Sequence, residues 1–264
     1  MNSETRTITK FDGFRVEVDA VEKRGDIVLN RPLFNVVTMK QRKQMAEALA
    51  TLDGDEVVRV IVLRSAGKHF SSGGDIGEFI ESSPEAVSQL AQHVMAPERC
   101  RKPVLASIRG YCFGVGFEFS LACDFRIASE SAVFALPEQR IGMIPGSGGS
   151  IRLLHMIGMQ RTKDLVLRSR RLPAGQAHEW GIVLDCVPDD ELEKRTESLV
   201  DELRSFSPLA QRTIKGVLNA AQDAPVHVGI EMEGQAYGRL RGSNDFREGV
   251  NSFYEKRKPE FSGT

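Results

Sequence analysis

Several things are scarce in this chain. Only four of its 264 residues are cysteine, at 100, 112, 123 and 186, and none stand in a C-x-x-C pair. That argues against a zinc ribbon or a thioredoxin-type motif. The five histidines, at 69, 93, 155, 178 and 227, show no metal-ligand spacing, so no metal is expected. Net charge is nearly absent: 35 Lys and Arg face 36 Asp and Glu, a formal net of −1. No global field is there to draw in nucleic acid or anionic lipid, and any anionic ligand must be held by local donors. No apolar run approaches the span of a membrane helix. The opening stretch, MNSETRTITKFDG, has neither the apolar segment nor the composition of a leader peptide. Together these absences point to a cytoplasmic protein with free thiols and no nucleic-acid or membrane partner. Each cysteine then reads as a small buried hydrophobe.

What is present is ordinary for a globular chain: 41% hydrophobic and 27% charged residues, enough to bury a large core. Residues 14–18 alternate as a strand, and 25–29 make a second. Residues 39–52 place Met39, Met45, Leu49 and Leu52 on one helical face. The β-branched run 57–63 predicts a buried strand, followed by a helix from Pro84 to about Arg101 and a short strand over 103–108. Residues 115–122 predict a helix, with extended segments at 125–128 and 132–135. Strands alternate with helices to about residue 187, which argues for an α/β core. Beyond it helices dominate, over 189–205, 208–222, 225–241 and 244–256, with Pro208 and Pro225 at helix starts. The expected division is a core over 1–190 and a helical region over 191–264.

Three glycine-rich turns follow strands: His69 to Ile76 (HFSSGGDI), Arg109 to Glu118 (RGYCFGVGFE) and Pro137 to Gly149 (PEQRIGMIPGSGG). A strand-to-helix turn leaves N–H groups unpaired at the new helix start. Such donors suit an anion or a developing oxyanion. The P-loop pattern is missing, Gly114-Val115-Gly116 lacks the third glycine of the dinucleotide fingerprint, and there is no G-x-S-x-G elbow. Glu118 stands among Val115, Phe117, Phe119 and Leu121, where burial would raise its pKa and suit it to proton transfer. A glutamate that turns outward or pairs with arginine is the competing reading. Glu138, after Leu136-Pro137, is equally compatible with a surface turn. Two such carboxylates beside donor loops suggest general acid–base chemistry on a substrate whose oxyanion the backbone stabilises.

In combination and order these segments resemble the crotonase superfamily, the enoyl-CoA hydratase/isomerase family. The likeness runs from about Asp26 to Phe261. It rests on Asn30-Arg31-Pro32, Phe70 to Asp75, Gly110 to Glu118 with Ala122-Cys123-Asp124, and Pro137-Glu138 with Ile141-Gly142. It continues through Pro145 to Gly149 with Arg152-Leu153, and ends on Arg247 to Lys258. The resemblance implies a spiral of ββα units with a helical C-terminal trimerisation region, as a homotrimer or dimer of trimers. It implies an acyl-CoA thioester substrate, with no prosthetic group. The thioester carbonyl would be held by the backbone N–H groups of Gly74 and Val115. Glu118 and Glu138 match the two glutamates that activate one water for addition across the Cα=Cβ bond of a 2-enoyl-CoA. Phe253 and Lys256 match an aromatic and a lysine that contact the adenine and 3′-phosphate, across a subunit boundary. Asp75 and Ile76 fall on the same coenzyme A path.

Three departures stand out. Val115 replaces a middle glycine, Phe117 is bulkier than usual, and the loop from Arg31 to Val37 is one residue short. Alternative readings are another crotonase-type reaction, either enoyl-CoA isomerisation or ring-cleaving acyl-CoA hydrolysis, or a non-catalytic binding relative.

Overall fold

The computed structural model of the chain describes residues 5–264, with side chains from Thr9 onward; the first four residues of the opening stretch lie outside it. Strands β1 (Thr5–Phe11), β2 (Phe14–Asp19) and β3 (Arg24–Leu29) form an antiparallel meander. β2 alternates buried Phe14, Val16 and Val18 with partly exposed neighbours, as a half-covered strand should. Helix α1 (Met39–Gly54) crosses to β4 (Val60–Ser65). It opens on a capping box, in which the Thr38 hydroxyl accepts from the Gln41 N–H and the Gln41 side chain accepts from the Thr38 N–H. Short helices α2 (Ile76–Glu81), α3 (Pro84–Ser88), α4 (Leu90–Val94) and α5 (Ala96–Arg99) lead to β5 (Val104–Ile108).

Next come β6 (Tyr111–Phe113), α6 (Val115–Ala122), β7 (Phe125–Ser129) and β8 (Val133–Ala135). A 3-10 turn (Glu138–Ile141) and α7 (Gly149–Leu167) follow, then β9 (Leu172–Pro173), α8 (Ala174–Glu179) and β10 (Asp185–Val187). The tail is α9 (Leu192–Arg204), α10 (Pro208–Ala221), α11 (Val226–Leu240) and α12 (Asn244–Glu255).

The large sheet has the order β1-β2-β3-β4-β5-β7-β10, parallel from β3 onward, and β6-β8-β9 form a small second sheet. Because β4 and β5 are covered on both faces, their stretches Val60 to Leu63 and Val104 to Ala106 are apolar without a break rather than alternating. Ile61, Leu63, Val104 and Ala106 join the main core with Met45, Leu49 and Leu52 of α1. Val60, Val62, Leu105 and Ile127 face the other way, onto Leu192, Leu199, Val200 and Leu203 of α9. The tail is further pinned by buried Lys215 of α10, whose Nζ donates to Asp124 Oδ2 at 2.6 Å and to the Pro97 carbonyl at 2.9 Å.

The expected mixed α/β architecture is present. The single helix expected from Pro84 to about Arg101 is instead α3, α4 and α5. Pro97 in the first turn of α5 has no N–H to continue a helix from α4, and single turn residues, Gln89 and Met95, separate the pieces. The strand expected over 57–63 begins at Val60; Val58 is buried before it, and the Arg59 N–H is taken by the Lys23 carbonyl. All four cysteines are free and three are buried; burial pushes the thiols of Cys100, Cys112 and Cys123 upward, away from reactivity.

Candidate active site

The small sheet brings the three glycine turns together. Of two isolated parallel bridges, Ser71 to Cys112 lays the first turn alongside the second, and Val37 to Gly74 ties the first turn to the loop before α1. The Val37 N–H donates to the Gly73 carbonyl at 2.9 Å and the Asp75 N–H to the Val37 carbonyl at 3.2 Å. The Ser71 hydroxyl ties the turn down, donating to the Asn35 carbonyl at 2.7 Å. Stacked rings of Phe34, His69, Tyr111 and Phe113 buttress the same junction. The N–H groups of Gly74 and Val115 are left without a protein acceptor among the described residues. For Val115 this follows from its place as the first residue of α6. Its backbone remains helical despite the branched side chain, and its isopropyl group is buried in the main core.

Gly114, just before α6, has φ +49°, a conformation that L side chains rarely adopt. A Cβ there would also stand 3.2 Å from Glu138 Oε1. The second turn and Glu138 are therefore in close apposition.

Glu118 is 3% exposed, on the first turn of a helix with every residue buried. Its Oε1 accepts from the Ser147 N–H at 2.7 Å and the Gly149 N–H at 3.2 Å. The third glycine turn thus serves to fix this carboxylate. Arg152 holds that turn in place, donating through Nη1 to the Ser147 carbonyl at 2.9 Å and through Nη2 to Glu98 Oε2 at 2.8 Å. Any Cβ on residue 149 would meet Glu118 Cγ at 2.9 Å, so glycine is what lets the turn close on the glutamate.

Glu138 opens the 3-10 turn and is only partly buried, yet its Oε2 is sealed from solvent without a hydrogen-bond partner. Burial raises its pKa from 4.5 to about 7; its own backbone N–H opposes the rise, the nearby Glu118 charge adds to it and Arg42 opposes it. Arg42 comes from α1 and was not anticipated from sequence as a site residue. It is buried beside Gly74, with Nη2 2.5 Å from where a Cβ on residue 74 would stand. Its guanidinium lies over the Phe79 ring at 5.2 Å. Burial lowers its pKa, and the charges of Glu118, Glu78 and Glu138 work against that.

The remaining sequence-predicted residues fall elsewhere. Asp75 caps α2 through Oδ1, accepting from the Gly77 N–H at 3.1 Å, and Ile76 begins that helix exposed. Phe253 is exposed on α12, and Lys256 ends that helix in the left-handed conformation. Among the described residues no contact links either to the glutamates. Among the described residues no group of three or more His, Cys, Asp or Glu could hold a metal ion. No helix among them is long and apolar enough to cross a membrane.

Two backbone N–H groups without acceptors and two carboxylates, one fixed and one with a raised pKa, thus lie on the glycine turns of a mixed α/β scaffold. The sequence profile of the enoyl-CoA hydratase/isomerase family matches residues 24–264. A probable mitochondrial enoyl-CoA hydratase of Dictyostelium discoideum is 34% identical over 246 residues, 90% of this chain and 88% of that protein. The 2,3-dehydroadipyl-CoA hydratase of Escherichia coli is 32% identical over 246 residues, 90% and 94% of the two chains. The crystal structure of an enoyl-CoA hydratase from Bacillus anthracis superposes with a TM-score of 0.88 at 32% identity, over the full length of both chains. The chain belongs to the enoyl-CoA hydratase/isomerase family and has the crotonase fold.

Proposed function

We propose that the chain hydrates the Cα=Cβ bond of a 2-enoyl-CoA, or runs the reverse dehydration, at Glu118 and Glu138. The observation that carries the proposal is the pairing of those two carboxylates with the free N–H groups of Gly74 and Val115. In the forward direction the thioester oxygen accepts both N–H groups, and negative charge gathers there as the β-carbon is attacked. A water lies between the glutamates. Glu118, oriented by Ser147 and Gly149, takes a proton from it as oxygen bonds to Cβ. Glu138, whose pKa of about 7 keeps it substantially protonated near neutrality, delivers its proton to Cα. One water is consumed, the double bond is lost, and proton exchange with solvent resets the pair.

The coenzyme A path is assigned to Asp75 and Ile76, with Phe253 and Lys256 of a neighbouring subunit on the adenine and 3′-phosphate. Assembly as a homotrimer or dimer of trimers suits this division, because Phe253 is 77% exposed within one chain. It also suits the exposed apolar side chains Ile214, Leu218, Ile230 and Tyr237 of α10 and α11. A cytoplasmic location, with residues 1–190 as catalytic core and 191–264 as assembly region, completes the reading.

The test is decay of the enoyl-thioester absorbance with crotonyl-CoA and with longer, branched and ring-bearing enoyl-CoAs. Hydration of at least one, lost in Glu118→Gln and in Glu138→Gln, is expected. Double-bond migration or C–C cleavage without hydration would replace this reading with an isomerase or ring-cleaving hydrolase.

A further inference from the structure

Arg42 is 4% exposed, yet its guanidinium has no hydrogen-bond or ion-pair partner among the described residues, and its Nε is sealed from solvent. Other buried arginines of the fold are served differently. Arg126 donates to the carbonyls of Ile182, Ser120 and Cys123, and Arg24 pairs with Asp26 and Glu197. Carboxylates do lie in the field of Arg42, but the contacts they make are elsewhere. Glu118 Oε1 accepts from Ser147 and Gly149, and Glu78 Oε2 accepts from the Met39 N–H at 2.6 Å. Neither these nor Glu138 forms an ion pair with the guanidinium.

A guanidinium is a rigid fork of five donors that does not shed its proton. Burying one without acceptors is costly, and a bound acceptor recovers that cost. The fork matches a carboxylate with two parallel hydrogen bonds. The placement is specific as well. Nη2 occupies the space that an alanine at 74 would claim, so the donor group stands directly beside the N–H assigned to the thioester oxygen. Phe79 supports its plane from one side. His93 of α4, within the field of Arg42, has an Nδ1 that is also buried without a partner.

We propose that Arg42 is a specificity residue that receives a carboxylate carried by the acyl group, so that the preferred substrate is a short 2-enoyl-CoA bearing an acyl carboxylate. This rests on the enoyl-CoA reading above. The chain is short because the guanidinium borders the thioester end of the site. A carboxylate a few carbons from the thioester carbon reaches it, and one at the end of a long extended chain does not.

The experiment uses matched pairs of 2-enoyl-CoAs, each with a terminal carboxylate or its methyl ester, at increasing chain length. For the wild type the carboxylate member should be favoured in kcat/KM by about tenfold to a hundredfold at one or two short lengths. Arg42→Met should bring that ratio to one or below, and Arg42→Lys should keep part of it. A wild type indifferent to the carboxylate at every length, or an Arg42→Met protein with the ratio intact, overturns the proposal. Binding of the saturated acyl-CoA pairs to the wild type reads the same preference if Arg42→Met does not fold. It also separates the two ideas: preferential binding without hydration of any enoyl-CoA would sink the hydratase reading and leave Arg42 as the carboxylate receptor.

Discussion

Glu118 sits on a helix buried on every side and gives one carboxylate oxygen to two backbone N–H groups, whereas Glu138 stands on a single 3-10 turn with one oxygen that no donor reaches. The two share a site but not a surrounding. Glu118 is held as an acceptor, with its orientation fixed by the turn from Ser147 to Gly149. Glu138 is desolvated more than its own backbone N–H and the Arg42 charge offset, which favours its neutral, proton-carrying form. One fold thus makes two chemically different groups from one residue type by giving the first two backbone donors from a neighbouring turn and leaving one oxygen of the second with none.

The strongest way to break this comparison is to neutralise each carboxylate. Glu118→Gln and Glu138→Gln should each lower kcat by roughly 10²- to 10⁴-fold while acyl-CoA binding is retained. Full turnover in either would remove that residue from the chemistry. Disturbing the support of Glu118 alone should cost less. Gly149→Ala places a Cβ 2.9 Å from Glu118 Cγ, and a displaced carboxylate should lower kcat by about 10- to 100-fold with KM little changed. Unchanged kcat would mean that the turn is not what positions Glu118.

The next test sharpens the Glu138 side. Its neutral form is lost as pH rises through about 7, so kcat/KM for hydration should fall along that limb and Glu138→Gln should lack the limb. The smallest effect is on stability. The folded pKa of Glu138 lies above its ordinary value of 4.5, so its contribution is fully present below pH 4.5 and is lost as pH passes about 7. Relative to the wild type, Glu138→Gln should therefore gain Tm between pH 5 and pH 8, by about 2 °C or more. A constant Tm difference across that range would place Glu138 in a solvated setting.

The pair of glutamates is legible in the sequence but the asymmetry between them is not, since the sequence points to Glu118 as the carboxylate with the raised pKa and the structure gives that place to Glu138. The buried strands β4 and β5 announce themselves because two covered faces demand apolar runs, Val60 to Leu63 and Val104 to Ala106. β6, β9 and β10 are two or three residues long, too short for any periodicity, and only the three-dimensional pairing defines them. The glycine turns point to backbone donors beside Glu118 and Glu138, and only the family resemblance singles out Gly74 and Val115, because a turn signal does not say which N–H groups stay free and which fix a carboxylate. Ser147 and Gly149 fall in the second class. Arg42 is hidden within a helix whose periodicity shows only its apolar face, Met39, Met45, Leu49 and Leu52. The signal was there all the same: Arg42 stands three residues before Met45 and seven before Leu49, on the buried stripe itself. A charged residue at such a position needs a partner or a function.

The account turns on the claim that Glu138, and not merely some group in the protein, holds its proton to near neutrality. Carboxyl ¹³C NMR of glutamate-labelled protein, with Glu138→Gln used to assign the missing resonance, measures this directly. The resonance absent from the variant should titrate near pH 7 in the wild type; a midpoint at the ordinary 4.5 would contradict the account.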